Sequence, residues 1–158
     1  KRRRSCETAA SELQVASLRE ASLDQVEGFR FSDPELRRRS LHVVSEIART
    51  EAAIQALEGD RFALLGKLLQ QSHHSLQYLY EVSCPELDFI VSVCNVHAAV
   101  LGSRMMGGGF GGSAIALVEA SAAEELRDTV INAYSEQFGL EAAVFLTAPA
   151  DGVWWRPL

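Results

Sequence analysis

The chain reads as an α+β domain in which a helical hairpin and further helices pack on a largely antiparallel four-stranded sheet. Two long stretches, one opening at Pro34 and one at Asp60, carry apolar residues at three-and-four spacing and are joined only by Gly59-Asp60. A link that short sends the second helix back along the first, with a shared apolar seam. From residue 100 the pattern turns to short apolar runs bounded by glycines, which is the pattern of strands. The order is four helices, then strand, strand, helix, strand, strand, and such segregation predicts α+β rather than a parallel α/β sheet. With 158 residues, 47% of them apolar and 23% charged, residues 1–158 are long enough to bury a core as a single domain.

Residues 5–14 place Cys6, Ala9, Ala10 and Leu13 on one stripe and predict a short helix. Residues 15–33 read as a connection with brief helical turns, pinned by Leu18, Leu23, Val26 and Phe29. Asp33-Pro34 opens the next helix, because Asp accepts from free amides of the first turn and Pro has no amide to leave unpaired there. Leu36, Val43, Val44, Ile47, Ile54 and Leu57 form its stripe, and Gly59 ends it. Asp60 is the expected cap of the second long helix, whose stripe is Phe62, Leu65, Leu68, Leu69, Leu76 and Leu79. In Ser83-Cys84-Pro85-Glu86, Ser83 is the expected cap and Glu86 the reciprocal member of a capping box. Leu87, Ile90, Val91 and Cys94 supply the buried side of that helix, which ends within Asn95–Ala99. Strands are expected at 100–106, 113–118, 144–147 and 153–155, with a helix over 121–137 stopped by Gly139 and a turn over Pro149–Gly152.

The formal charge is -6, which repels a phosphate backbone unless the cations share a face. Two basic clusters, Arg2–Arg4 and Arg37–Arg39, are read as solvated helix surfaces or contacts to another part of a longer protein, and no nucleic-acid partner is expected. No apolar run reaches the roughly 20 residues that span a bilayer, and Lys1–Arg4 runs into mixed sequence, so no export signal is expected in this form. No membrane partner is therefore expected. Cys6, Cys84 and Cys94 form no Cys-x-x-Cys pair and read as free thiols of a reducing, cytoplasmic compartment.

Met105-Met106-Gly107-Gly108-Gly109-Phe110-Gly111-Gly112 holds the candidate site. Five glycines in six positions imply a tight path or the close approach of something to the backbone, and exposed amides suit anionic oxygens. No Lys-Ser/Thr follows, as a P-loop requires, and the segment leads into a strand where a dinucleotide fingerprint needs a helix. Arg104 is the best-placed cation, with an ion pair bracing the loop as its plainer role. His73 and His74 point about 100° apart on a helix and are poor joint metal ligands; His42 and His97 have no spacing link to them. All four read as structural histidines, no metal site is assigned, and Glu86 and Asp88, two apart, do not face each other.

Gly102-Ser103-Arg104-Met105-Met106-Gly107-Gly108-Gly109-Phe110-Gly111-Gly112 resembles the third conserved motif of the galactokinases, within the GHMP small-molecule kinase superfamily. Glu81-Val82-Ser83-Cys84-Pro85-Glu86-Leu87-Asp88 resembles a second stretch of that family, and His42–Glu46, Ser72–Leu76, Arg3–Glu7 and Ala150–Gly152 are further family-like segments in order. Met106 stands where the family usually has Thr, and Ser113 where it has Cys. The resemblance implies the carboxyl-terminal domain of a kinase that uses ATP and Mg²⁺ to phosphorylate the C1 hydroxyl of α-D-galactose. It further implies that the catalytic Asp and Arg, the phosphate loop and the main sugar contacts lie in an amino-terminal part absent from this chain, in keeping with an opening at Lys1. No catalytic residue and no cofactor ligand is expected in this segment. Gly107 to Gly112 would approach the active site, Arg104, Met105 and Met106 would support the loop, and one apolar face would be exposed to pack on the amino-terminal domain or to self-associate. A non-catalytic sugar-sensing relative and a stand-alone binding module with a basic face are the alternatives.

Overall fold

The computed structural model describes residues 1–150. Helix α1 (Arg2–Glu12) and the short α2 (Leu23–Gly28) precede the long α3 (Pro34–Glu58) and α4 (Phe62–Ser75), and α4 continues into a π-helical turn at Leu76–Tyr80. Helix α5 (Pro85–Val96), strands β1 (Val100–Met106) and β2 (Ser113–Val118), a single 3₁₀ turn at Ala120–Ala122 and helix α6 (Ala123–Phe138) complete the order. The α+β layout is as expected, but among the described residues β1 and β2 form a two-stranded antiparallel sheet, not a four-stranded one. Residues 144–147 join no ladder. A ladder needs a partner in register, which an apolar run does not specify, and Val144 packs instead against the cluster of Cys94, Leu126 and Val130. The strand expected at 153–155 lies outside the described residues.

Local chemistry explains several helix ends. Asp33 Oδ1 accepts the Glu35 amide at 2.7 Å, with Pro34 at the first helical position. Gly139, at φ 65°, closes α6 in the left-handed region. In α2 a full capping box joins Ser22 and Gln25. Two expected caps differ. Asp60 takes the left-handed step of the turn at φ 52°, which removes it from the helix start, and Arg61 becomes the cap residue without a side-chain bond. Ser83 also stands outside its helix: Cys84 is the cap residue, and the Ser83 hydroxyl is drawn instead to the Asp88 carboxylate.

The core consists of adjoining clusters. Ala9, Ala10, Leu18 and Leu36 join α1 to α3, and Ala21, Val26 and Val44 seat α2. Leu76, Val82, Leu87 and Met105 bury one face of β1. Cys94, Leu126 and Val130 join α5 and α6 under the sheet, where burial pushes the Cys94 thiol up to about 11. The α3–α4 seam is not the apolar strip that the spacing suggested. Buried His42 bonds with buried Ser75 across it and buried Ser72 donates to Glu46, while Ile54 and Leu57 are about half exposed near the hairpin tip. Helix α4 crosses β1 at glycine on both sides: a Cβ on Gly66 would lie 2.0 Å from the Leu101 carbonyl oxygen, and one on Gly102 would lie 2.0 Å from that of Gly66. This approach brings α4 side chains onto the strand that leads into the glycine loop.

Candidate functional site

The loop from Gly107 to Gly112 joins β1 to β2 and is fastened at its centre. The Phe110 amide donates to the Val82 carbonyl at 2.7 Å. Gly109, at φ 82°, lies so close that a Cβ would come 2.1 Å from the same oxygen. Phe110 itself adopts φ 59°, an uncommon conformation for a bulky side chain. Its ring is exposed, and the Arg2 guanidinium carbon sits 5.7 Å from the ring centroid. The neighbouring Gly107, Gly108, Gly111 and Gly112 have open space where a Cβ would be. The loop is thus a fixed centre flanked by bare backbone, an arrangement suited to a ligand that comes close to the main chain.

The wall beneath the loop is the Tyr80–Val82 corner. Glu81 is left-handed at φ 54°, and two arginines bind this corner. Arg2 Nε donates to the Tyr80 carbonyl at 2.7 Å, and its terminal nitrogen reaches the Glu81 carbonyl. Arg39 donates to the Leu79 carbonyl and pairs with the Glu81 carboxylate. That hydrogen bond, followed by the nearby positive charges, holds the Glu81 carboxyl below the usual range. Arg39 is only 1% exposed, so it departs from the solvated surface suggested by three consecutive arginines, while Arg37 remains exposed. The same corner accounts for the break in α4. The spacing ran one helix through Leu79, whereas the α-helix ends at Ser75 and a π-turn lets the Val82 amide close on the Leu76 carbonyl at 3.1 Å.

Arg104 lies in β1, half-buried. Its Nε donates to the Met105 carbonyl at 2.8 Å, and its Nη1 stands 3.8 Å from Glu46 on α3. Glu46 also accepts from Ser72 Oγ at 2.6 Å and pairs with Arg49. Met105 is fully buried, whereas Met106 is half exposed at the loop's edge.

The histidines separate by environment. His42 Nδ1 is 2.8 Å from Ser75 Oγ, and its ring stacks on Tyr80 at 4.3 Å. Burial first, then the positive charges of Arg49, Arg104 and Arg39, depress it to about 4. His73 Nδ1 accepts the Met105 amide at 3.2 Å while Nε2 faces Asp88 Oδ1 at 3.2 Å. Asp88 also receives Ser83 Oγ and Gln77 Nε2. An open cleft of about 500 Å³ lies beside the pair, lined in part by Gln77, Phe89, Ser92 and Asn95. Sequence spacing missed this connection because its members come from α4, α5 and β1; only their presence in the Ser72–Leu76 and Glu81–Asp88 segments marked them out. His74 tilts against Tyr78 on its own helix, and His97 Nε2 is 3.8 Å from Glu125.

Among the described residues no group of three or more His, Cys, Asp or Glu could hold a metal ion, and no helix is long and apolar enough to cross a membrane. The three thiols are free. The described residues therefore offer a shaped backbone loop with its supports.

A helical hairpin crossing a small antiparallel sheet, with a glycine loop fastened to the corner after the hairpin, places the chain in a known class. Residues 53–136 match the family described as GHMP kinases C terminal, and the chain belongs to that family. Within it, the similar proteins are galactokinases. The chain is 45% identical to the galactokinase of Bos taurus over 152 residues, 96% of this chain and 38% of that protein. It is 40% identical to the galactokinase of Thermotoga maritima over 153 residues, 97% of this chain and 43% of that protein. The structure of Lactococcus lactis galactokinase complexed with galactose superposes with a TM-score of 0.86 at 35% identity, covering 90% of this chain and 38% of that one. The chain thus spans about two fifths of the length of these relatives.

Proposed function

We propose that residues 1–158 are the carboxyl-terminal domain of a galactokinase and form one wall of its active-site cleft. The glycine loop carries this reading. Its centre is fixed on Val82 through the Phe110 amide, and the glycines on either side leave backbone exposed. Such a loop suits phosphoryl transfer, in which positioning and electrostatics do most of the catalytic work. In the full-length protein the γ-phosphoryl group of ATP, bound with Mg²⁺, would pass to the C1 hydroxyl oxygen of galactose, releasing ADP. The hydroxyl proton would go to an acidic residue of the amino-terminal part. No residue of this chain is assigned that role, and the isolated chain is expected to be inactive.

Arg104, Met105 and Met106 are read as supports of Gly107, Gly108, Gly109, Phe110, Gly111 and Gly112. The exposed side chains of Met106 and Phe110 fit a surface facing the amino-terminal domain. The test is steady-state kinetics of the full-length gene product with ATP, Mg²⁺ and a panel of hexoses, with the product identified by NMR. Phosphorylation at C1 of galactose in preference to its epimers is expected. A folded full-length protein that binds galactose without turning it over would transfer the reading to a sugar sensor.

A further inference from the structure

We infer that His73, held by Asp88 with its proton on Nε2, is a positioning residue for the glycine loop: its bare Nδ1 takes the Met105 amide and so sets where the strand enters Gly107. The inference builds on the function proposed above and adds to the loop a support that its own residues do not provide.

The geometry defines the tautomer. An amide N–H can only donate, so the ring nitrogen facing Met105 at 3.2 Å must carry a lone pair. Asp88 Oδ1 lies 3.2 Å from the other nitrogen, and an ionised carboxylate accepts only, so the proton belongs on Nε2. Ser83 and Gln77 also donate to this carboxylate, which orients it for the ring. A carboxylate that fixes a histidine tautomer through one nitrogen while the other does the work recurs in catalytic and metal sites. Here the work is to hold a backbone amide. Met105 is fully buried and His73 is 6% exposed, so water cannot readily replace the bond. The Gly66–Gly102 crossing brings α4 close enough to β1 for the contact.

The charges around the ring are Asp88 on α5, Arg104 on β1 and His74 on its own helix. Burial first, then Arg104 and His74, lower the affinity of His73 for a proton, and Asp88 raises it in opposition. The ring is thereby kept neutral near pH 7. A second proton would fall on Nδ1 and set two donors against each other, releasing the strand.

The experiment uses the full-length protein and three readouts. Imidazole ¹⁵N shifts of the wild type should show His73 as the Nε2–H tautomer. His73→Phe keeps a ring but removes the acceptor, and should lower kcat about tenfold or more, the scale on which small misplacements act. His73→Asn places Oδ1 near the former Nδ1, and should recover most of that loss while removing the acidic fall in kcat that follows protonation of His73. Melting curves of both variants separate loss of fold from loss of positioning. A wild-type spectrum showing Nδ1–H, or a folded His73→Phe protein with undiminished kcat, overturns the inference. A wild-type protein inactive on galactose would overturn the proposed function instead, and the imidazole spectrum would still decide the tautomer and the amide bond.

Discussion

The α4–β1 crossing and the glycine loop both depend on glycine, for opposite reasons. At the crossing Gly66 and Gly102 are filled against: any side chain would meet main-chain oxygen at 2.0 Å. In the loop Gly108 has nothing within 4 Å, and its backbone lies outside the left-handed region. The first region needs glycine so that two elements of this chain can touch. The second carries, at Gly108, a glycine of which the chain itself has no steric need, which is the expected mark of a surface kept bare for something else.

The sharpest way to break this comparison is Gly102→Ala or Gly66→Ala. Alanine favours a helix over glycine by about 1 kcal/mol, which alone would make Gly66→Ala stabilising. A Cβ 2.0 Å from a backbone oxygen cannot be relieved by turning a side chain, and forced backbone shifts cost about 1–3 kcal/mol or more. The clash wins: both variants should unfold at markedly lower denaturant concentration, and a Gly66→Ala protein as stable as wild type would show that the crossing is looser than described.

Next in size is Arg39→Met. Losing the guanidinium strands the Leu79 carbonyl and the Glu81 carboxylate at the corner that carries the loop. Glu81 is half exposed, so water recovers part of the loss, and the cost is about 2 kcal/mol, below that of a fully buried pair. Urea melts of the full-length protein measure it. A change near zero would mean that the Tyr80–Val82 corner holds without its buried arginine.

A smaller effect depends on pH. His42 is depressed from 6.5 to about 4 in the folded protein. Below pH 6.5 the unfolded chain takes up a proton that the folded chain refuses until about pH 4, so His42 makes stability fall as pH drops through that window and flattens the fall below it. His42→Gln should remove about one proton of uptake from the unfolding transition between those limits. An unchanged pH slope would assign the dependence to other groups.

Gly108→Ala should have the smallest effect on stability, within about 0.5 kcal/mol, since no contact is disturbed and the unfolded chain loses some freedom. Its effect on kinetics decides the comparison. If the loop meets substrate, kcat or KM of the full-length protein changes several-fold while the melting temperature holds; unchanged kinetics would place Gly108 away from the reaction.

Legibility in the sequence followed the range of the interactions. The glycine loop was visible as composition, and its family from several motifs in order. Its fastening to Val82 was not, because that bond joins segments 28 residues apart. Arg37–Arg39 looked alike, yet only Arg39 is buried, with its guanidinium on the Leu79 carbonyl. His73 looked like a structural histidine because nothing in its spacing points to Asp88 or Met105.

By itself the sequence determined where α3 begins and stops and where α6 stops. Asp33-Pro34, Gly59 and Gly139 act through bonds and dihedrals within one turn of their own positions, and no distant partner can readily override them. Tertiary structure alone decided that residues 144–147 join no ladder, that the hairpin seam is polar, and that His73 spans from Asp88 to the Met105 amide 32 residues away. Those outcomes depend on which surfaces meet. Close approach at Gly66 and Gly102 sets that meeting, and each residue's periodicity is blind to its partner's.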